Sequence, residues 1–420
     1  MRIAVIGAGA AGCFAAVNLK RMCPSAHITV YEGGRKPLAK VAVTGGGRCN
    51  LTNSFAGVKS LAAVYPRGER LMKRLLREFS HEDAYAWFER EGVRLVTQAD
   101  CCVFPQSQDA MEIVQTLTRL MARSGVVLKT GHRVELIERT GGGVGTDSYV
   151  ITFAGSGMLP QAKADVVIVT TGGSPKASGL AMLRRTGVET VPPVPSLFSL
   201  CMPGNHVREL MGTVVEHATV SFAGMKLRAS GPLLITHWGM SGPAVLKLSS
   251  YAARILSESG YKAMLNVNWT GDGSEADAHD MLAALAAGNP QKQLSSVYPV
   301  YLNARLWQHL LSCSGLSGSM RWSELGRKGM NRLVNTLTNS QYPVDGKNRF
   351  KEEFVTCGGV SLSSVDPHTL ECRTSPGLYF AGEVLDVDAV TGGFNLQAAW
   401  TMGYVVARAV AERVISPIYA

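Results

Sequence analysis

The chain has 420 residues, 46% of them hydrophobic and 18% charged, with 45 glycines and a formal net charge of +10. This composition excludes a disordered chain, and its length predicts two to three units of roughly 150 residues each. No run approaches the roughly 18 uninterrupted apolar residues of a membrane span, so a cytoplasmic protein without a membrane partner is expected.

Ile3–Ile6 is a short apolar run, readable as a buried parallel strand. Gly7-Ala-Gly-Ala-Ala-Gly12 follows, and Cys13–Arg21 carries a helical pattern. Ile28–Tyr31 reads as a second strand ending at Glu32. Cleavage of a signal peptide here would destroy the glycine motif, so none is expected. Residues 70–90 and Ala110–Ser124 look helical. Val126–Lys129 and Val134–Ile137 look like strands, and Gly141–Gly145 like a hairpin turn between strands. Val166–Thr170 is a further buried strand entering Thr171–Pro175. Composition shifts at Val191-Pro-Pro-Val-Pro195, a plausible domain crossing. Short strands are expected to about Ser250, and helices across 271–340. Val355–Gly359 returns to the first style, Leu378–Ala381 reads as a strand, and Gly393–Arg413 as a long helix.

Strand, glycine turn, helix, strand and acid make a complete dinucleotide-binding unit. Gly7 permits the tight turn, Gly9 lets the backbone approach a pyrophosphate, and Gly12 lets helix and strand pack closely. Glu32, twenty residues after Gly12, suits ribose hydroxyls and disfavours a 2′-phosphate. The C-terminal half separates FAD from NAD. Gly382-Glu383 ends a strand, where Glu383 suits a ribityl chain. Thr391-Gly-Gly-Phe-Asn395 opens the last helix and aims its dipole at a flavin carbonyl. Thr44–Asn53 sets three glycines before Arg48 and Asn50. Arg48 is placed to pair with the pyrophosphate, and Cys49 reads as a packed thiol.

The nine cysteines are scattered and contain no C-x-x-C pair. That argues against structural zinc, or any metal site, and against a dithiol flavin reductase. The positive charge attracts FAD, NAD(P)H and nucleic acid alike. The basic residues are dispersed, with modest clusters at Arg67–Arg77 and Lys347–Lys351. This dispersal argues against nucleic acid and for a small-molecule substrate. Nothing in the sequence sets an oligomeric state.

Gly7–Gly12 with Glu32, Thr44–Asn53, Val103-Phe-Pro105, Leu234–Pro243, Cys357–Ser361, Ala381–Asp386 and Thr391–Gln397 together resemble the YhiN/BaiN-like NAD(P)/FAD-dependent oxidoreductases. That group includes flavoproteins described as aminoacetone oxidases. The resemblance implies an α/β fold: a Rossmann-like FAD-binding domain interrupted by an insert with a β-barrel-like part and a helical part. The expected boundaries are 1–190 and 356–420 for the FAD-binding domain and 191–355 for the insert. Within the insert, about 191–270 and 341–355 are β-rich and about 271–340 helical.

The resemblance also implies that Gly45–Asn50 and Gly392–Leu396 line the cofactor. The candidate FAD contacts are therefore Gly7, Gly9, Ala10, Ala11, Gly12, Glu32, Gly33, Lys40, Gly46, Gly47, Arg48, Cys49, Asn50, Thr171, Gly172, Gly382, Glu383, Asp386, Gly392, Gly393, Phe394, Asn395 and Leu396. Val134 joins them as an adenine contact, by analogy with related flavoproteins. After Pro175 many members carry a longer segment with Tyr and Gly-Asp-Gly. In this chain Lys176–Val191 carries neither that Tyr nor that Gly-Asp-Gly, so no role of that segment carries over.

In the insert, Ser241 is placed to cap a helix entered through Pro243. His237 is the candidate general acid or base, weighed against a structural histidine. The expected activity is FAD-dependent hydride transfer between flavin and a small-molecule substrate or NAD(P)H. With no second G-x-G-x-x-G, NAD(P)H would dock only transiently as donor. The alternatives are an amine oxidase using oxygen, a tRNA-modifying flavoprotein, a non-catalytic flavin-binding protein and a plain NAD-dependent dehydrogenase.

Overall fold

The computed structural model describes residues 1–140, 148–155, 161–174, 176–348 and 355–415. The expected Gly141–Gly145 turn, together with Pro175 and Lys351, lies outside the described residues. The chain divides into two compact units, Met1–Pro195 with Val355–Ala420, and Ser196–Phe354.

The first unit is built on a five-stranded parallel sheet. Its strands run in the order Leu378–Phe380, Val166–Val169, Arg2–Ile6, His27–Tyr31, Val127–Lys129. Ile3–Ile6 and Val166–Val169 are buried throughout, as continuous apolar runs covered on both faces must be. The sheet thus joins the two ends of the chain, with the C-terminal strand at one edge. The first helix, Ala10–Met22, is rich in alanine, and nine of its thirteen residues are buried. Small residues suit it because a second helix, Phe394–Ile415, lies close against it. A Cβ on Gly403 would come within 2.8 Å of the Ala11 carbonyl oxygen.

Phe14, on this first helix, centres an aromatic cluster. Its ring lies 4.5 Å from Trp87, 5.3 Å from Trp400 and 5.5 Å from Phe79. The indole N–H groups are satisfied without leaving the core, Trp87 by Asn18 and Trp400 by the Leu51 carbonyl. The helical stretch expected over 70–90 is two helices, Glu69–Leu75 and His81–Arg90. Ser80 interrupts it as the N-cap of a reciprocal capping box with Asp83. Small antiparallel sheets complete the unit, one of them Val134–Thr140, Ser148–Phe153 and Gln161–Ala164.

The second unit holds a six-stranded antiparallel sheet. In order its strands are Leu200–Cys201, Gly239–Ser241, Arg228–Ile235, Val214–Phe222, Lys262–Asn268 and Ser340–Asp345. Its two edges meet, because Cys201 N–H donates to Gly346 (2.9 Å) and Asn348 N–H to Ser199 (3.0 Å). The sheet is therefore close to a closed barrel, which leaves little free edge. The helices Glu275–Gly288, Ala304–Cys313 and Gly326–Thr338 fall in the stretch expected to be helical. The expected run of strands to Ser250 is corrected: Pro243–Tyr251 is a helix whose buried face packs into the barrel core. Among the described residues no helix is long and apolar enough to cross a membrane.

Replacing Phe14 with Ala would empty the centre of the aromatic cluster. We expect a loss of about 3–5 kcal/mol, read as a lower denaturation midpoint by intrinsic tryptophan fluorescence in urea.

Candidate functional site

The glycine turn is held by its own packing. Gly7 has φ +106°, and a Cβ there would lie 2.6 Å from the Thr170 carbonyl oxygen. A Cβ on Gly12 would lie 2.1 Å from the Gly7 oxygen. Gly9 differs, since its only neighbour for a Cβ is the Thr170 oxygen at 4.0 Å. The protein itself does not require glycine there, so the space in front of Gly9 suits a ligand. The first intrahelical bond runs from Cys13 N–H to Gly9 (3.0 Å). The N–H groups of Ala10, Ala11 and Gly12 precede it, so this helix N-terminus has donors of the kind that suit an anion.

Beside this turn lies a cavity of about 630 Å³. Gly7, Glu32, Gly33, Val134, Thr171 and Gly172 of the expected contacts all line it. The Glu32 carboxylate is fixed at its rim by Ala8 N–H (2.8 Å) and Gly34 N–H (2.7 Å). His132 and Arg133 also line the cavity, although the sequence marks neither as a contact. His132 packs against Tyr31 and Phe153.

A second group surrounds Glu383. One of its oxygens accepts from Thr356 N–H (2.6 Å), and the other lies 3.5 Å from Lys40 Nζ. Gly172 faces both side chains, and Gly173 leaves no room for a Cβ beside the Glu383 carboxyl. Gly382 has φ +82°, and a Cβ there would meet the Ala11 Cβ at 3.0 Å. The C-terminal Gly-Glu pair thus sits against the start of the first helix. Asp386 accepts from Gly358 N–H (2.9 Å), a further tie within this unit.

The third group is the start of the last helix. Its first bond runs from Gln397 N–H to Gly393 (3.0 Å), so the N–H groups of Phe394, Asn395 and Leu396 come before it. With its amide turned to satisfy both neighbours, Asn50 accepts from Gly393 N–H (3.2 Å) and donates to the Thr52 carbonyl (3.1 Å). Asn53 donates to the Gly392 carbonyl (3.0 Å). The side chain of Asn395 turns away from the helix start and makes two bonds to the Ala389 backbone. It shapes the loop, and its N–H alone faces the open end. Gly45, Gly46 and Gly47 all have positive φ, and nothing lies within 4 Å of a Cβ at Gly46 or Gly47. Arg48 is exposed, with its guanidinium 4.5 Å from the Phe104 ring. Cys49 is fully buried, and burial pushes its thiol up to about 12. It is a packed, unreactive thiol.

A segment that the sequence marks only through its basic Arg67 holds this loop. Val390 N–H donates to Val64 (2.9 Å), Tyr65 donates to the Phe394 carbonyl (3.1 Å), and Val387 fills the space beside Gly68. Arg67 forms a bidentate pair with Asp388, whose side chain is fully buried. Residues 64–68 therefore buckle the loop 386–394 from behind.

In the second unit His237 is exposed. Its ring stands edge-on to Trp238 at 4.3 Å, and its carbonyl accepts from Arg208 Nε (2.6 Å). The expected Ser241 cap is corrected. Gly242, at φ +92°, is the N-cap before Pro243, and the Ser241 hydroxyl bonds Ser199 at 2.6 Å instead. A Cβ on Gly242 would meet the Pro232 carbonyl at 2.8 Å, so close backbone packing decides the cap. Among the described residues no group of three His, Cys, Asp or Glu side chains is placed to hold a metal ion.

Two helix N-termini, two backbone-held acids flanking the first helix and a nucleotide-sized cavity fit the class the chain belongs to: a Rossmann-type, FAD-dependent oxidoreductase. The chain belongs to the HI0933-like protein Rossmann domain family, which it matches over residues 1–409. It is 29% identical to a 3-dehydro-bile acid delta(4,6)-reductase of Clostridium scindens, over 98% of this chain and 99% of that protein. It is 27% identical to a ribosomal RNA dihydrouridine synthase of Escherichia coli, over 96% of each. Among solved structures it resembles a quinol fumarate reductase subunit of Escherichia coli at 15% identity, covering 100% of this chain and 72% of that one (TM-score 0.50). It also resembles a 3-ketosteroid-delta4-(5alpha)-dehydrogenase of Rhodococcus jostii at 14% identity, covering 97% and 96% (TM-score 0.50). These last two likenesses concern the fold.

Two outcomes follow from this geometry. Gly9→Ala leaves the apo-protein folded, because no protein atom opposes its Cβ, but weakens FAD retention on the order of tenfold or more, about 1.4 kcal/mol. Gly12→Ala lowers the melting temperature of the apo-protein itself. Flavin absorbance per protein and thermal unfolding separate the two. Asp388→Asn breaks a buried pair and costs about 3–5 kcal/mol, with lower FAD content, measured by denaturant unfolding and FAD titration.

Proposed function

We propose that this protein is an FAD-dependent reductase of carbon–carbon double bonds conjugated to a carbonyl group. The observation that carries the reading is the pair of helix N-termini in the first unit, one suited to a pyrophosphate and one to the flavin ring. The full-length relatives point to the reaction. A 3-oxo compound with double bonds at positions 4 and 6 is a conjugated dienone, and its delta(4,6)-reductase saturates such bonds. Uridine becomes dihydrouridine when the double bond conjugated with its ring carbonyl takes up two hydrogens. Both names therefore describe one chemistry on different carriers.

Bound FAD supplies the two electrons of such a reduction. The chain's residues would hold it in place. Ala10, Ala11 and Gly12 donate to the pyrophosphate, Glu32 accepts from the adenosine ribose, and Glu383 accepts from the ribityl chain. Val134 borders the adenine, and Gly33, Thr171 and Gly172 shape the walls around the nucleotide. Lys40 is free to turn from Glu383 toward phosphate, since its side chain is 62% exposed. Gly46 and Gly47 admit close backbone approach, with Arg48 at the loop's open side. The N–H groups of Phe394, Asn395 and Leu396 place a partial positive charge at the flavin carbonyl region, which favours the reduced, anionic ring. His237, exposed on the second unit, is the proposed general acid or base. NADH or NADPH is the proposed donor of electrons, docking transiently.

The test is anaerobic. FAD-loaded protein is bleached with NADH or NADPH and then mixed with a 3-oxo-Δ4 steroid or with uridine. The yellow colour should return as the ultraviolet band of the conjugated substrate is lost. Bleaching by small amines but not by NAD(P)H, with peroxide formed in air, would replace this reading with amine oxidation.

A further inference from the structure

The nucleotide cavity of the first unit has a wall that the proposed flavin contacts do not use. It is built by the stretch after Gly173, to which no role carries over from the resemblance. Ala177–Leu183 is a 3₁₀ helix of seven residues, and runs beyond about three or four residues are uncommon. With three residues per turn, side chains at i, i+3 and i+6 stand one above another. Leu180 and Leu183 form one such ridge and are buried. Ser178, Ala181 and Arg184, the residue that ends the helix, form the next. All three are exposed and line the cavity. Gly179 and Met182 line it from the third ridge. An α-helix, at 3.6 residues per turn, would turn Arg184 well away from Ser178. The wall is tied at both ends. Gly179 packs on Ser174, whose hydroxyl would lie 2.0 Å from a Cβ there. Arg184 Nη1 donates to the Glu135 carbonyl (3.3 Å) and to the Ala181 carbonyl (3.1 Å). Glu135 belongs to the strand Val134–Thr140, whose first residue also lines the cavity.

We propose that this 3₁₀ wall seats the adenine base of FAD and makes the site hold the dinucleotide in preference to FMN. The proposal rests on the FAD reading above and concerns the adenosine end alone. Glu32, assigned to the adenosine ribose, and Val134, assigned to the base, line the same cavity, so the base belongs in the space that the wall borders. Serine, glycine and alanine present a low, even surface to a planar ring. Met182 adds a thioether, a polarizable partner for an aromatic ring. FMN ends at its phosphate and has no base to place there. Arg184 is a positioning residue, because it fixes the wall to the strand that carries Val134. Arg185, one residue on, pairs with Glu138 of the same strand and lies outside the cavity wall.

The experiment titrates the full-length protein, freed of flavin, with FAD, FMN and ADP. ADP carries the adenosine end without a flavin. The parent should bind FAD and ADP and hold FMN more weakly than FAD. Arg184→Ala should weaken FAD and ADP on the order of tenfold, about 1.4 kcal/mol, and leave FMN unchanged. Its flavin-free form should melt as the parent's does, because Arg184 is exposed. Arg184→Lys keeps a donor for the carbonyls and should recover part of the loss. Arg185→Ala removes an exposed ion pair of the same segment and should bind all three ligands as the parent does. Unchanged ADP affinity in Arg184→Ala, an equal loss of FMN affinity, or an equal loss in Arg185→Ala overturns the proposal. So does a parent that binds FMN as tightly as FAD. A parent that binds none of the three refutes the FAD reading itself, and the proposal with it.

Discussion

The first unit depends on one close approach of backbones. Gly12 lies against the Gly7 carbonyl, and the Thr170 hydroxyl donates to that same oxygen (2.8 Å). No Cβ fits at either glycine. Strand, turn and helix are thereby locked to the neighbouring strand end, whose residue Thr171 lines the nucleotide cavity. The same approach fixes where the N-terminus of the first helix points. It also leaves Ala11 exposed to Gly382 on one side and to Gly403 on the other. Both ends of the chain converge on this helix because its residues are small enough to admit them.

That convergence gives one unit two helix N-termini of similar design. Each carries three N–H groups before its first intrahelical bond and has no acid in its first turn. The field at such a terminus contributes about 0.3–1 kcal/mol to a nearby anion, and more when partly buried. One terminus follows a rigid β-turn-helix. The other follows the loop 386–393, which lacks regular structure and needs external ties. The pairs Arg67–Asp388, Asn395–Ala389 and Asn53–Gly392 supply them. A loop tied this way can present fixed donors without reorganising when charge develops.

The sequence exposes the parts of this arrangement that are local. A glycine turn between two strands, an acid at the end of the second strand and glycines before a helix are each readable over a few residues, and the parallel sheet follows from them. Ties across long separations are not readable in this way. Nothing near Arg67 shows that its partner is Asp388, 321 residues away. Asn395 lies within a motif, yet its amide serves the loop. At Ser241 the local capping rule loses to backbone packing at Gly242. The helix itself starts at Pro243, where the proline signal places it, although the surrounding stretch reads as β-rich.

The two acids flanking the first helix differ in a way that fits their proposed tasks. Both Glu32 oxygens are held by backbone N–H groups, and among the described residues no ion pair involves them. Each oxygen keeps a lone pair for a hydroxyl donor, and the side chain is already ordered, so little of the roughly 1.5–2 kcal/mol of glutamate rotamer entropy remains to be lost on binding. Glu383 is held by one N–H on one oxygen and faces an exposed lysine on the other. A ligand hydroxyl can replace the ammonium there, and an exposed ion pair is worth only about 0–1 kcal/mol, so the exchange costs little. Lys40 then becomes available to phosphate at the first helix N-terminus. The rigid acid suits the half of the cofactor that only anchors, and the exchangeable pair suits the half that bridges to the reacting ring.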